Sequence, residues 1–182
     1  MKNLRPILAT FLVLALAGLT VLGVFKMTGS DSSTSGGLPT ESTTPVDNSK
    51  STTPGGLPVV SATAGQAPTI SAPSGAAPSE LTTKDIIVGT GTEVLPTSTL
   101  TVHYTLMAWS TGKIIETSWS GQPATFPLAQ VVEGWQKGLP GAKVGGRRLL
   151  VLPPSMGYGA AGSGPIGPNE TLIFVVDIIG VS

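Results

Sequence analysis

From Lys26 to Glu80 the chain contains no aromatic residue. The stretch is built from Ser, Thr, Gly, Pro and Ala, with GGLP at 36–39 and 55–58 and STTP at 42–45 and 51–54, and no periodic apolar face. Low-complexity sequence of this kind buries too little surface to offset chain entropy. It therefore predicts a disordered tether and confines any packed core to the residues on its C-terminal side. That remainder, Leu81 to Ser182, holds every tyrosine and tryptophan of the chain. About 100 residues is enough for one modest core.

Before the tether, Lys2 and Arg5 precede an uncharged run from Ile7 to Phe25. As a helix rising 1.5 Å per residue the run would be about 28 Å long, close to the hydrocarbon thickness and longer than the apolar core of a secretion signal. It reads as an uncleaved anchor. The alternative is a cleaved signal ending near ALAG, 15–18, which would leave LTVLGVF exposed on the mature end. In both readings the positive end stays in the cytoplasm and the rest is exported. The expected organisation is a signal peptide or anchor over 1–26, a disordered linker over 27–80 and one folded domain over 81–182.

Ten basic and ten acidic residues cancel, and no basic stripe points to nucleic acid. With no cysteine, disulfides, thiolate metal sites and a cysteine nucleophile are excluded. A single histidine, His103, excludes a multi-histidine metal site.

Within the folded part, Leu100, Val102, Tyr104 and Leu106 alternate with Thr101, His103 and Thr105, which predicts a strand covered on one face. STGK, 110–113, is a turn and KIIETSW resumes an extended run, so the pair predicts a hairpin. RRLLVLPP is a further strand, stopped by Pro153 and Pro154. TLIFVVDII is apolar on both faces and predicts a central strand, and DIIVG adds another. One short helix is expected over 128–138, with Val131 stacked on Trp135 four residues on. The sum is an α+β domain, an antiparallel sheet with a helix laid against it.

Other motifs carry less. GYGAAG, 157–162, fits G-x-G-x-x-G, but Pro153 and Pro154 precede it and no helix begins there, so it reads as a glycine-rich loop. No G-x-S-x-G elbow accompanies His103 and Asp177. His103 reads as a solvated strand residue, and Arg147 and Arg148 as residues of the outer sheet face. NET, 169–171, is a formal glycosylation sequon.

The fragments TVHYT, GKIIETSW, VVEGWQKGLPGAKVGGRRLLVLPPSMGYG and TLIFVVDI, in this order, resemble the FKBP-type peptidyl-prolyl cis–trans isomerases over about Lys84 to Val181. The resemblance implies a bent antiparallel sheet wrapped around one short helix, and an apolar proline pocket needing no cofactor and no metal. It implies Tyr104, Glu116, Trp135, Tyr158 and Phe174 as catalytic residues, Trp135 being the pocket floor. Ile115, Ala124, Phe126, Val131, Val132 and Ile166 would bind substrate. Implied partners are proline-containing segments of exported proteins and macrolide ligands, with the membrane reached through the N-terminal helix; the protein is read as a monomer. The sequence departs from the family's commonest pattern at four positions. Ile115 replaces an aromatic wall, Glu116 replaces an aspartate, Ser120 falls where many members have arginine, and Ala124 stands where a phenylalanine is frequent. A wider, less aromatic pocket is expected, with the Glu116 contact to Tyr104 shifted. The alternative function is a non-catalytic prolyl-peptide binder on the same scaffold.

Overall fold

The computed structural model describes residues 56–182. The expected N-terminal helix, and the linker as far as residue 55, lie outside the described residues. Among the described residues no helix is long and apolar enough to cross a membrane.

Six strands and one short helix follow in order: β1 (Thr82–Ile87), β2 (Thr99–Ala108), β3 (Ile114–Thr117), β4 (Ala124–Pro127), α1 (Glu133–Gly138), β5 (Arg147–Leu152) and β6 (Leu172–Val181). All pairings are antiparallel, and the sheet runs β1-β5-β6-β2-β3, with β4 pairing the other half of β2. The expected strands and hairpin are present, and β6 is the central strand its two-faced apolar sequence predicts.

Period-two alternation gives the sheet two faces. Leu100, Val102, Tyr104 and Leu106 of β2 register with Val181, Ile178, Val176 and Phe174 of β6, and Phe174 in turn with Leu150 of β5; these join α1 in the inner core. Met107 of β2, Leu149 and Val151 of β5 and Ile173 and Val175 of β6 form a second cluster on the outer face.

The helix is shorter than expected. Leu128–Gln130 is a 3-10 turn, and the chain then extends through Val131 (φ −96°, ψ 176°) and Val132 (φ −57°, ψ 148°) before α1 begins. Two consecutive β-branched residues are stiff at χ1 and favour extended backbone, so Val131 is not stacked on Trp135 by helical spacing. Six residues are too few to be stable alone. The Lys137–Glu133 ion pair is about half exposed and adds little. Burial holds the helix instead: Trp135 has no exposed surface, and Gly134 and Gly138 let the backbone settle on Leu152 and Leu150 of β5.

The ordered part also begins earlier than the boundary at residue 81 drawn from composition. Residues 56–75 lie on the outer face, where Val60 belongs to the second cluster and Leu57 and Ile70 pack against it. Three aliphatic residues meeting a ready-made apolar face achieve a burial that the segment could not achieve by itself. Arg147 and Arg148 also part company, as neighbours on a strand must. Arg147 faces outward and is buried, paired with Asp177. Arg148 lies on the other side, donating to the carbonyls of Gly138 and Pro140 at the end of α1 and to Asp85. Burial pushes the Asp177 carboxyl up, and the hydrogen bonds and charge of Arg147 pull it back.

A Cβ at Gly134 would overlap Cγ and Cδ2 of Leu152, whose side chain is fully buried. Gly134→Ala should therefore destabilise the domain by about 1–3 kcal/mol through overpacking, in spite of alanine's better helix propensity. Thermal unfolding followed by circular dichroism checks this; an unchanged or raised midpoint would mean that the helix does not press on β5.

Candidate functional site

Trp135 is ringed edge-on by three aromatics: Phe174 of β6 at 5.3 Å between centroids, Tyr104 of β2 at 5.9 Å and Phe126 of β4 at 6.2 Å. Edge-to-face contacts at these distances each add about 0.5–1.5 kcal/mol beyond area burial. Each ring comes from a different element, so the indole marks where β2, β4, β6 and α1 converge. Val131, Val132 and Ile166 are buried in the same cluster, and Ile115, Ala124 and Tyr158 pack against it half-exposed. The structure thus brings all eleven predicted site residues together, Glu116 through its bond to Tyr104. Trp135 itself carries no exposed surface, so it is the buried centre of the cluster; the accessible rim is Ile115, Glu116, Ala124 and Tyr158. A separate cleft of about 80 Å³ between the end of β1 and residues 141–146 shares none of these residues.

The rim owes its chemistry to an irregularity in β3. Thr105 pairs with Thr117 and Leu106 with Glu116, but Met107 pairs with Ile114, leaving Ile115 as the extra residue of a bulge. A bulge re-aims side chains; here neighbouring Ile115 and Glu116 both reach the inner cluster. Tyr104 Oη donates to Glu116 Oε1 at 2.6 Å, so the longer glutamate keeps the contact that its extra methylene put in question. The Oγ of Ser118 accepts from the Tyr104 backbone N–H at 2.9 Å, and Thr105 and Thr117 join hydroxyls at 3.0 Å, fixing β3 to β2.

Sequence reading passed over this support. Ser118 also meets His103 Nδ1 at 3.0 Å, and the His103 ring stacks on Trp119 at 4.2 Å, so His103 is a half-buried partner and not a solvated one. The signal was available: Thr117, Ser118 and Trp119 form a short polar-aromatic run at the end of the hairpin strand.

Two buried donors lack partners among the described residues, the indole N–H groups of Trp119 and Trp135. Both phenols are perturbed. Burial first, then the hydrogen bond and charge of Glu116, push the Tyr104 hydroxyl well above the ordinary phenol range. Burial and the Glu116 charge push Tyr158 up to about 12. What the arrangement offers is an apolar aromatic cluster edged by one carboxylate and two neutral phenols. It can receive a small apolar ring and donate hydrogen bonds to flanking carbonyls; it contains no activated nucleophile.

The family profile of FKBP-type peptidyl-prolyl cis-trans isomerases matches residues 91–179. A probable FK506-binding protein of Corynebacterium glutamicum is 46% identical over 104 residues, which are 57% of this chain and 88% of that protein. Among solved structures, FkpA from Escherichia coli superposes with a TM-score of 0.53 at 36% identity, over 56% of this chain and 48% of that one. A peptidyl-prolyl cis-trans isomerase from Pseudomonas syringae pv. tomato gives 0.52 at 32% identity, over 56% of this chain and 75% of that one.

Tyr104 and Tyr158 are the only tyrosines, so ultraviolet titration reads the site alone. Both pKa values rise on folding. The stability they contribute is complete below the unfolded value of about 10 and is lost as pH climbs through the folded values. The folded protein should show almost no tyrosinate at pH 10 and a first step near 12, and Glu116→Gln should draw that step downward. Half-ionised tyrosine at pH 10 in folded protein would contradict the burial of the rim.

Proposed function

The chain belongs to the FKBP-type peptidyl-prolyl cis–trans isomerase family, and from that premise we propose that it accelerates Xaa–Pro isomerisation in exported proteins at the Trp135 cluster. The observation that carries this reading is the convergence of Tyr104, Phe126, Trp135 and Phe174 beneath a rim of Ile115, Glu116, Ala124 and Tyr158.

The chemistry asks for little more. An Xaa–Pro bond turns about a partial double bond against about 18–20 kcal/mol, taking tens to hundreds of seconds unaided. No bond breaks, so no nucleophile or cofactor is required. Twisting removes resonance and leaves the amide less dipolar than its planar form. An apolar surround therefore favours the twisted state relative to water, and each 1.36 kcal/mol of that difference is worth tenfold in rate. In this reading the prolyl ring is received over the indole of Trp135, against Val131, Val132 and Phe174. Since that indole has no exposed surface, entry displaces side chains of the cluster, Tyr158 of the rim and the buried Ile166 among them. No bond among the described residues uses the Val132 N–H, and we assign it, with the Tyr158 hydroxyl, to the carbonyls that flank the proline. Tyr104 and Glu116 hold one another and give the cluster a fixed polar edge. Ile115 and Ala124 would leave room for a bulky residue before the proline or for a macrolide ring.

Export and anchoring rest on Lys2, Arg5 and the uncharged run after them; in this reading the domain works outside the cytoplasm, tethered to the membrane or released by cleavage. The retained Tyr104–Glu116 bond favours catalysis over the alternative of a non-catalytic binder.

A protease-coupled assay on a short Xaa–Pro peptide tests the reading. Tyr158→Phe should lower kcat/KM by roughly tenfold, the worth of one hydrogen bond made in the twisted state, while the melting temperature holds. Trp135→Leu, which keeps an apolar filler, should cost considerably more activity. Turnover at the uncatalysed rate in the unsubstituted protein, with peptide still bound, would select the binder.

A further inference from the structure

Residues 56–75 precede the region that matches the family, yet they are built into the domain. They form two antiparallel arms: Ser61 N–H donates to Thr69 O at 3.0 Å, Ser71 N–H to Val59 O at 2.9 Å, and Val60 bridges Ile70. Gly65, at φ 72°, makes the turn at the tip. Arg147 grips that tip. Its Nη1 donates to Ser61 O at 2.8 Å and its Nη2 to Gln66 O at 2.6 Å, while its Nε lies on both oxygens of Asp177 at 2.9 and 3.0 Å. The Arg147 side chain has no exposed surface. A charge buried so completely with backbone carbonyls as partners commits those carbonyls to one geometry.

The far end of the strap meets the turn between β2 and β3. Trp109 Nε1 donates to Gly75 O at 3.4 Å, and Gly112, at φ 63°, presses close enough that a Cβ there would meet Ala72 Cβ at 3.1 Å. The same turn is also held by Glu170, whose carboxylate accepts from the Ser110 N–H at 3.0 Å and from its hydroxyl at 2.5 Å. This turn leads directly into β3, which is four residues long, lies at the sheet edge and carries Ile115 and Glu116. So short an edge strand takes its position from what holds its ends.

We propose that residues 56–75 are a strap of the functional domain whose segment 72–75, acting through Trp109 and Gly112, positions the β3 wall of the site. The inference rests on the reading of that site as a prolyl pocket. Ala72 and Gly75 are positioning residues in this assignment; they touch no substrate.

The test uses the full chain. Val60→Ser with Ile70→Ser weakens the strap's apolar contact, and Val59→Ser, on the same arm but 76% exposed, is the control. Limited proteolysis should show the strap released in the double variant only. Amide exchange of Ile115–Thr117 should then quicken at least tenfold while β6 amides stay protected, the tyrosinate step near 12 should move toward 10, and KM should rise several-fold with kcat little changed. A released strap with unaltered β3 exchange and an unaltered tyrosinate step would overturn the proposal, whatever happens to the melting temperature. If the double variant does not fold, Ile70→Ala carries the same comparison on a smaller scale and is decided by the same two readouts. Absence of isomerase activity in the unsubstituted protein would sink the functional reading alone, because exchange and titration judge the strap without it.

Discussion

Everything in this domain hangs on β6 being covered on both sides. Leu172 to Ile178 are buried without a break, because β5 and β2 flank the strand and each face has its own cover. The inner face sends Phe174 to Trp135. The outer face sends Ile173 and Val175 to the strap and Asp177 to Arg147. A slip of one residue would exchange the two faces. It would put Asp177 against the aromatic cluster and Phe174 under the strap. The register of β6 is therefore fixed twice, once by apolar fit and once by a buried ion pair. Such a pair is close to neutral for stability, but about 3–5 kcal/mol is lost when one partner goes. Specifying register is a role that suits it.

On the inner face the decisive contest is between burial and charge. Glu116 sits half-buried beside apolar neighbours, where a lone carboxylate would be costly. The Tyr104 hydroxyl offsets this with a bond of 2.6 Å, and in return both phenols are held neutral far into alkaline conditions. The edge of the site is consequently one carboxylate held by Tyr104 and a second neutral phenol at Tyr158, while its interior stays apolar. An amide twisting out of plane needs that division: a weakly polar surround for the C–N unit and directional bonds for the carbonyls beside it.

The facing of β2 and the central place of β6 were legible because they rest on burial patterns that few contexts override. The alternation of Leu100 to Leu106 assigned Tyr104 to the inner face and His103 to the outer one, and the unbroken apolar run of β6 implied its central place. Other features depended on contacts that no local pattern carries. The helix was drawn too long since Leu128, Val131, Val132 and Trp135 mimic a helical stripe, whereas two β-branched residues in succession extend the chain. Arg147 and Arg148 were placed on one face although alternation forbids it; a run of like charges masked the period. The strap was missed for a physical reason. Its composition truly cannot form a core, and only the presence of a second apolar face, built by Met107, Leu149, Val151, Ile173 and Val175 much later in the chain, makes Leu57, Val60 and Ile70 worth ordering. The bulge at Ile115 is likewise invisible in sequence, since it arises from pairing with β2.

That second face bears on how the inner one can be tolerated. A buried indole N–H with no partner among the described residues, as at Trp135, costs about 1–3 kcal/mol. Small domains hold only about 5–15 kcal/mol in all, so an under-satisfied cluster on one side must be offset on another. Val60, buried, and Ile70 and Leu57, half-buried, close over Met107, Leu149, Val151, Ile173 and Val175 and keep that outer face out of water. The two sides need not communicate for this to work. A covered outer face lets the inner face keep a polar edge and, among the described residues, an unpaired indole donor.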